Sequence, residues 1–166
     1  ADASVTNGLV YADTVTGAGT YTEAPGNPSP IPTYPAFDAI TYDGEITTAE
    51  GSATSNLTLS TGQTLNLTGT VYYNTVTIKD NATVTGTGTI VATQAVLIRD
   101  TANIGQNITF LGKKDITIQN SAILQSGAIV YSQQDITVKG SASVTGSLLA
   151  PKNSKQVIVN STASVT

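Results

Sequence analysis

The chain has 166 residues, 11% charged, with no Cys, Met, Trp or His and a formal net charge of -4. Seven basic residues spread along it cannot form the phosphate-neutralising stripe that nucleic acid demands. Without His or Cys neither a catalytic triad nor a thiolate zinc site can be built, and no apolar run reaches the ~18–20 residues of a membrane span.

Thr is the commonest residue, 29 of 166, and together with Val and Ile it favours strands over long helices. In chain order the first predicted element is a half-turn at 3–12, `ASVTNGLVYA`, which matches `ASVTGSLLA` at 142–150. An excursion over residues 17–53 follows. It holds five of the six Pro, at 25, 28, 30, 32 and 35, and its Pro-rich part is incompatible with helix or central strand. Tyr34, Phe37 and Tyr42 predict that it packs on the side of the remaining structure or caps one end.

From residue 57 onward one line recurs. Leu57, Val76, Val96, Ile116, Ile136 and Val157 are spaced by 19, 20, 20, 20 and 21 residues. Two positions later stand Leu59, Ile78, Ile98, Ile118, Val138 and Val159. Eight positions later stand Leu65, Val84, Ile104, Leu124, Val144 and Val165. A third apolar block, Val71, Ile90, Ile108, Ile129 and Leu148, comes at an offset that varies between 12 and 14. Alternation by two within each line signals strands with one face buried. Gly69, Gly86, Gly105, Gly127 and Gly146 lie near one corner, and Asp80, Asp100, Asn120 and Gly140 near another.

These features predict a single all-β domain over 1–166, a single-stranded parallel β-solenoid. It has about 20 residues per rung and six to seven rungs, with 17–53 inserted near the N-terminus. Each rung is expected to hold three short strands joined by tight corners. Val76, Val84, Val96, Ile104, Ile116, Leu124, Ile136 and Val144 are its structural ladders, and the alanines at 82, 102, 122, 142 and 163 point inward. Both chain ends fall at the same half-rung, which makes Ala3, Val5, Leu9, Val157, Val159 and Val165 a candidate end-to-end or capping interface.

Chemistry is sparse. Asp115 and Asp135 share a column on adjacent rungs, but with Lys113, Lys114 and Lys139 close by in sequence they read as surface charge pairs. The Asp80, Asp100 and Asn120 column reads as a turn ladder. No catalytic, metal or cofactor-binding residue is assigned, and the chain is expected to be non-enzymatic. Thr-x-Thr faces on solenoids are a known ice-binding surface. Here `TVT` at 83–85 and `SVT` at 143–145 are interrupted by `NIG` at 103–105 and `ILQ` at 123–125, which counts against ice. N-x-S/T sites occur at Asn56, Asn66, Asn81, Asn107 and Asn160.

The line `GSLLAPKNSKQVIVNSTASVT` at 146–166 resembles the β-solenoid domains of PilX-like accessory proteins of type IV pili. Gly146, Leu148, Leu149, Ala150, Pro151, Val157, Val159, Ala163 and Val165 carry the likeness. The resemblance implies an exported, cell-surface module with an adhesive or pilus-assembly role, normally tethered by an N-terminal pilin-like helix that these residues do not include. The rung logic is also similar to that of bactofilins, which implies a self-stacking filament subunit as the alternative. An ice- or glycan-binding solenoid ranks third. The expected partners are proteins, either pilus or filament subunits or a second copy of the chain, and a surface glycan. The expected location is extracellular or at the cell surface.

Overall fold

A computed structural model describes residues 3–5, 10–12, 14–16, 19–20 and 39–166, with side chains from residue 41 onward. The first elements are β1 (Ala3–Val5), β2 (Val10–Ala12), β3 (Thr14–Thr16), β4 (Gly19–Thr20) and helix α1 (Ala39–Ser52). Then come β5 (Leu57–Leu59), β6 (Thr64–Tyr73), β7 (Val76–Ile78), β8 (Thr83–Ala92), β9 (Val96–Ile98), β10 (Asn103–Ile104) and β11 (Ile108–Gly112). β12 (Ile116–Ile118), β13 (Ile123–Ser132), β14 (Ile136–Val138), β15 (Ser143–Ala150), β16 (Gln156–Val159) and β17 (Ser164–Val165) complete the series.

The architecture is the expected parallel β-solenoid. Its rung, however, is one short strand and one long bent strand, not three short ones. The short strands form a seven-stranded parallel sheet in the order β3-β16-β14-β12-β9-β7-β5. The long strands form a ten-stranded sheet that turns a corner part-way along. At that corner Gly69, Gly86 and Gly127 have φ of 84°, 85° and 78°, whereas Gly105 does not enter the left-handed region. Gly86 is required by space as well as by φ: a Cβ there would lie 2.2 Å from the Leu67 carbonyl oxygen.

Register explains the packing. Leu57, Val76, Val96, Ile116, Ile136 and Val157 stand opposite one another in turn, and Val96, the most exposed of the middle four, is only 1% exposed. Val84, Ile104, Leu124 and Val144 form a second fully buried ladder. The third ladder is Val71, Ile90, Phe110, Val130 and Leu148. Its offset from the short-strand anchor is therefore constant at 14 (71−57, 90−76, 110−96, 130−116). It falls to 12 only at Leu148, where a register shift between Leu124 and Ala128 removes two residues. Ile108 and Ile129 are thus not its members. The sequence misleads here because both faces of this wall are covered, so apolar residues run consecutively, as on any strand buried on two sides.

The cover is α1. It lies inside the predicted excursion but beyond Pro35, clear of the Pro-rich part that excludes helix. Ile46 and Ala49 are buried against Val91, Leu111, Tyr131 and Leu149, with Tyr42 and Tyr72 packed alongside. Tyr42 meets Tyr131 edge to face, with ring centroids 5.2 Å apart. Gly44, Gly51 and four Thr or Ser among 14 residues give α1 little intrinsic helicity, so this packing and its polar contacts hold it. Tyr34 and Phe37 lie outside the described residues.

The two ends of the chain meet. Ser4 and Val5 pair with Ser164 and Val165, Val10–Ala12 with Leu148–Ala150, and Thr14–Thr16 with Gln156–Ile158, all parallel. β2 and β3 thus continue the winding where β17 leaves it, on edges of β15 and β16 that would otherwise be open.

The alanines at 82, 102, 122, 142 and 163 are all fully buried. Ala122→Leu is expected to overpack this column and lower unfolding stability by about 1–3 kcal/mol in denaturant titration, whereas Ser121→Ala next to it, which is exposed, should change stability by less than about 0.5 kcal/mol.

Candidate functional site

Charge is distributed unevenly over the solenoid, and the corners account for it. At the corner after each short strand, Lys79 pairs with Asp80 at 3.0 Å and Arg99 with Asp100 at 3.3 Å. Asp80, Asp100 and Asn120 there have φ of 52°, 60° and 62°, and Asn120 Nδ2 donates to Asp100 Oδ1 at 2.7 Å. This column is a turn ladder, as its residue types predict. A hydrogen bond from Lys79 holds the Asp80 carboxyl below the usual range.

The corner before each short strand uses carboxylates differently. Asp115 Oδ1 accepts the Asp135 backbone N–H at 3.2 Å, and Asp135 Oδ1 accepts that of Gln156 at 3.0 Å. Each aspartate fastens the start of the next rung. Lys113, by contrast, pairs with Glu50 of α1.

α1 is latched by two more acids. Glu45 accepts the Tyr72 hydroxyl at 2.8 Å, which raises the Tyr72 pKa. Asp43 accepts Tyr131 Oη at 2.7 Å, Gln133 Nε2 at 2.8 Å and Lys152 Nζ. Partial burial alone would raise the Asp43 pKa. The bonds from Lys152, Tyr131 and Gln133, with the Lys152 charge, outweigh it and hold Asp43 below its ordinary value. Burial, and then the bond to Asp43, push the Tyr131 hydroxyl well upward.

Between these charged corners the long strands carry none. Residues 51–78, 81–98, 101–112, 116–134, 140–151 and 156–166 contain no Asp, Glu, Lys or Arg. Within this neutral zone β6 and β8 pair in register over ten consecutive positions. Thr64, Asn66, Thr68 and Thr70 stand opposite Thr83, Thr85, Thr87 and Thr89. Thr83 and Thr89 are half-buried and the other six are exposed. Thr109 extends the last row beyond Thr89. Down the stack the pattern does fail, as the sequence indicates: Asn103 and Ile123 follow Thr83, and Ile123 is 48% exposed. The array runs along the strands instead. Thr68, Thr70, Thr87 and Thr89 are missed when only the columns through 83–85, 103–105, 123–125 and 143–145 are compared. Their signal is present in `TLNLTGT` at 64–70 and `TVTGTGT` at 83–89.

The residues expected from sequence to form an end-to-end or capping interface lie where the two chain ends pair. Val157 and Val165 are fully buried and Val159 is 6% exposed. Ala3 pairs with Gly19, Val5 stands opposite Val165 within the same chain, and Leu9 lies outside the described residues. Of the N-x-S/T sites, Asn56, Asn66, Asn81 and Asn107 are exposed and Asn160 is half-buried. No helix among the described residues is long and apolar enough to cross a membrane.

No family model and no curated protein matches the chain. A solved structure that does match is a Shewanella frigidimarina ice-binding protein DUF3494 domain, at 14% identity and a TM-score of 0.40, covering 99% of this chain and 90% of that one. The expectation of a structural or adhesive pilus-like module, with its filament alternative, is corrected here. The matching structure comes from an ice-binding protein. The C-terminal edge, expected either to stack on another molecule or to be capped, is paired with β1, β2 and β3 of its own chain.

The Asp43 latch gives a pH dependence with a definite sign. Its folded pKa lies below the ordinary 3.8, so its contribution is complete above that value and is lost as pH falls through the lower folded pKa. The thermal midpoint of the wild type should exceed that of Asp43→Asn at neutral pH, and the gap should close as pH drops below 3.8. A gap independent of pH would contradict the latch.

Proposed function

We propose that this chain binds ice, through the neutral threonine array of β6 and β8. The observation that carries this is the in-register pairing of Thr64, Asn66, Thr68 and Thr70 with Thr83, Thr85, Thr87 and Thr89, free of charge across both strands. Parallel pairing fixes neighbouring hydroxyls ~4.8 Å apart across the strands, and ~6.6 Å apart along each straight stretch between the bends at Gly69 and Gly86. A repeat of that order can template rows of hydrogen-bonded water in a solid lattice. Each Thr contributes a hydroxyl that holds a water molecule and a methyl group that limits how that water can turn.

Rigidity matters as much as spacing. β-branched side chains have few rotamers, so an array already fixed on a solenoid loses little further entropy when its water layer orders. A charged side chain would instead orient water radially about itself, and none stands on these strands. On this proposal the chain acts outside the cell, where ice grows, and acts without catalysis.

Thermal hysteresis measured on single ice crystals checks the proposal. Wild type at millimolar concentration should separate the freezing and melting points and facet the crystal. Thr68→Tyr and Thr70→Tyr should each lower the hysteresis severalfold while leaving the circular dichroism spectrum unchanged. Thr117→Tyr, on the short-strand wall, should leave hysteresis intact. Absence of hysteresis in the wild type would refute ice binding.

A further inference from the structure

The long-strand sheet is interrupted at one rung. β10 stops at Ile104, and residues 105–107 form a turn before β11 resumes at Ile108, with Gly105 N–H still donating to Val84 O at 2.8 Å and Asn107 N–H to Ser126 O at 3.1 Å. Asn107 enters the left-handed region at φ 57° to make this detour. The gap opens a groove of about 430 Å³ between the neighbouring long strands. Thr85 and Thr87 line it from β8 and Gln125 from β13, with Asn103, Gln106 and Asn107 from the interrupted rung. No charged side chain lines it.

We infer that this groove binds an uncharged saccharide, about a disaccharide in size. Its volume lies in the ~300–1,000 Å³ range of small-molecule sites. Carboxamides and hydroxyls each offer a donor and an acceptor, which is the pattern that vicinal sugar hydroxyls present in return. Gln125 Nε2 donates to Asn103 Oδ1 at 3.0 Å. That bond orients both amides before any guest arrives and leaves the Gln125 carbonyl oxygen and the Asn103 amino group for it. An anionic guest would find no counter-charge in the groove and would lose solvation without repayment. Phosphates, nucleotides and acidic sugars are therefore poor occupants. With no aromatic ring in the lining there is no stacking platform, so the affinity is millimolar rather than micromolar.

The site does not depend on ice binding. Thr85 and Thr87 border both surfaces, but Gln106 and Gln125 belong to the groove alone, and Thr68 and Thr70 to the array alone.

The test titrates the ¹⁵N-labelled chain with maltose, cellobiose and lactose to tens of millimolar, following amide shifts by NMR, with glucuronic acid as the charged control. At least one neutral disaccharide should give saturable shifts centred on residues 83–87, 103–107 and 125, and glucuronic acid should not. Gln106→Ala and Gln125→Ala should each weaken binding about tenfold, the loss of one well-made hydrogen bond. Thr68→Tyr should not weaken it. Gln106 is exposed, so its variant should keep the wild-type spectrum outside the groove. Three outcomes overturn the inference: no saturable shift with any of the three sugars, shifts unaffected by both glutamine variants, or stronger binding of glucuronic acid.

Discussion

Everything in this molecule depends on strands pairing in parallel with equivalent positions aligned from rung to rung. A single rung of about 20 residues cannot enclose a core. Stacked in register, rungs place Val76 on Val96, Ile116 and Ile136, and fill the interior with continuous apolar ladders. The same alignment governs the outside. A position that faces solvent on one rung faces it again ~4.8 Å away on the next, so Thr placed at equivalent positions of adjacent rungs becomes an array. Core and surface order therefore have one cause, and a slip in register would destroy both.

Open edges are the cost of that construction, and the chain meets it with its own segments. The C-terminal rungs are continued by β2 and β3, with β1 laid on β17. The wall that would expose Val91, Leu111 and Tyr131 is covered by α1. The helix has weak intrinsic propensity, yet three acids on it, Asp43, Glu45 and Glu50, each find a partner on the solenoid. Charge is thereby used at corners and under the helix. The long strands are left neutral, which an ordered water layer requires.

The repeat, its period and the buried columns are legible in the sequence because two-residue alternation at a 20-residue spacing has few other meanings. The glycine and Asx corners are legible for the same reason: Gly86 and Asn120 occupy conformations that ordinary residues resist. The third ladder is not. Phe110 and Val130 are hidden there by Ile108 and Ile129, since a wall covered on both faces loses its alternation. The helix at Ala39–Ser52 is hidden too. Its Thr, Ser and Gly content gives no helical pattern, and only the apolar wall it covers accounts for it. The threonine array was written in plain letters at 64–70 and 83–89. It escapes notice because Gly69 and Gly86 suggest that the strand ends, when it bends and continues. The groove at 105–107 depends on a local departure from the ladder that no residue pattern announces.

Partition into growing ice tests the central claim most directly. If a slowly advancing ice front is grown through a dilute solution of the chain, the account predicts enrichment of the protein in the ice fraction. A protein of similar size and charge should remain in the liquid. Exclusion of this chain to the same extent as the control would contradict it.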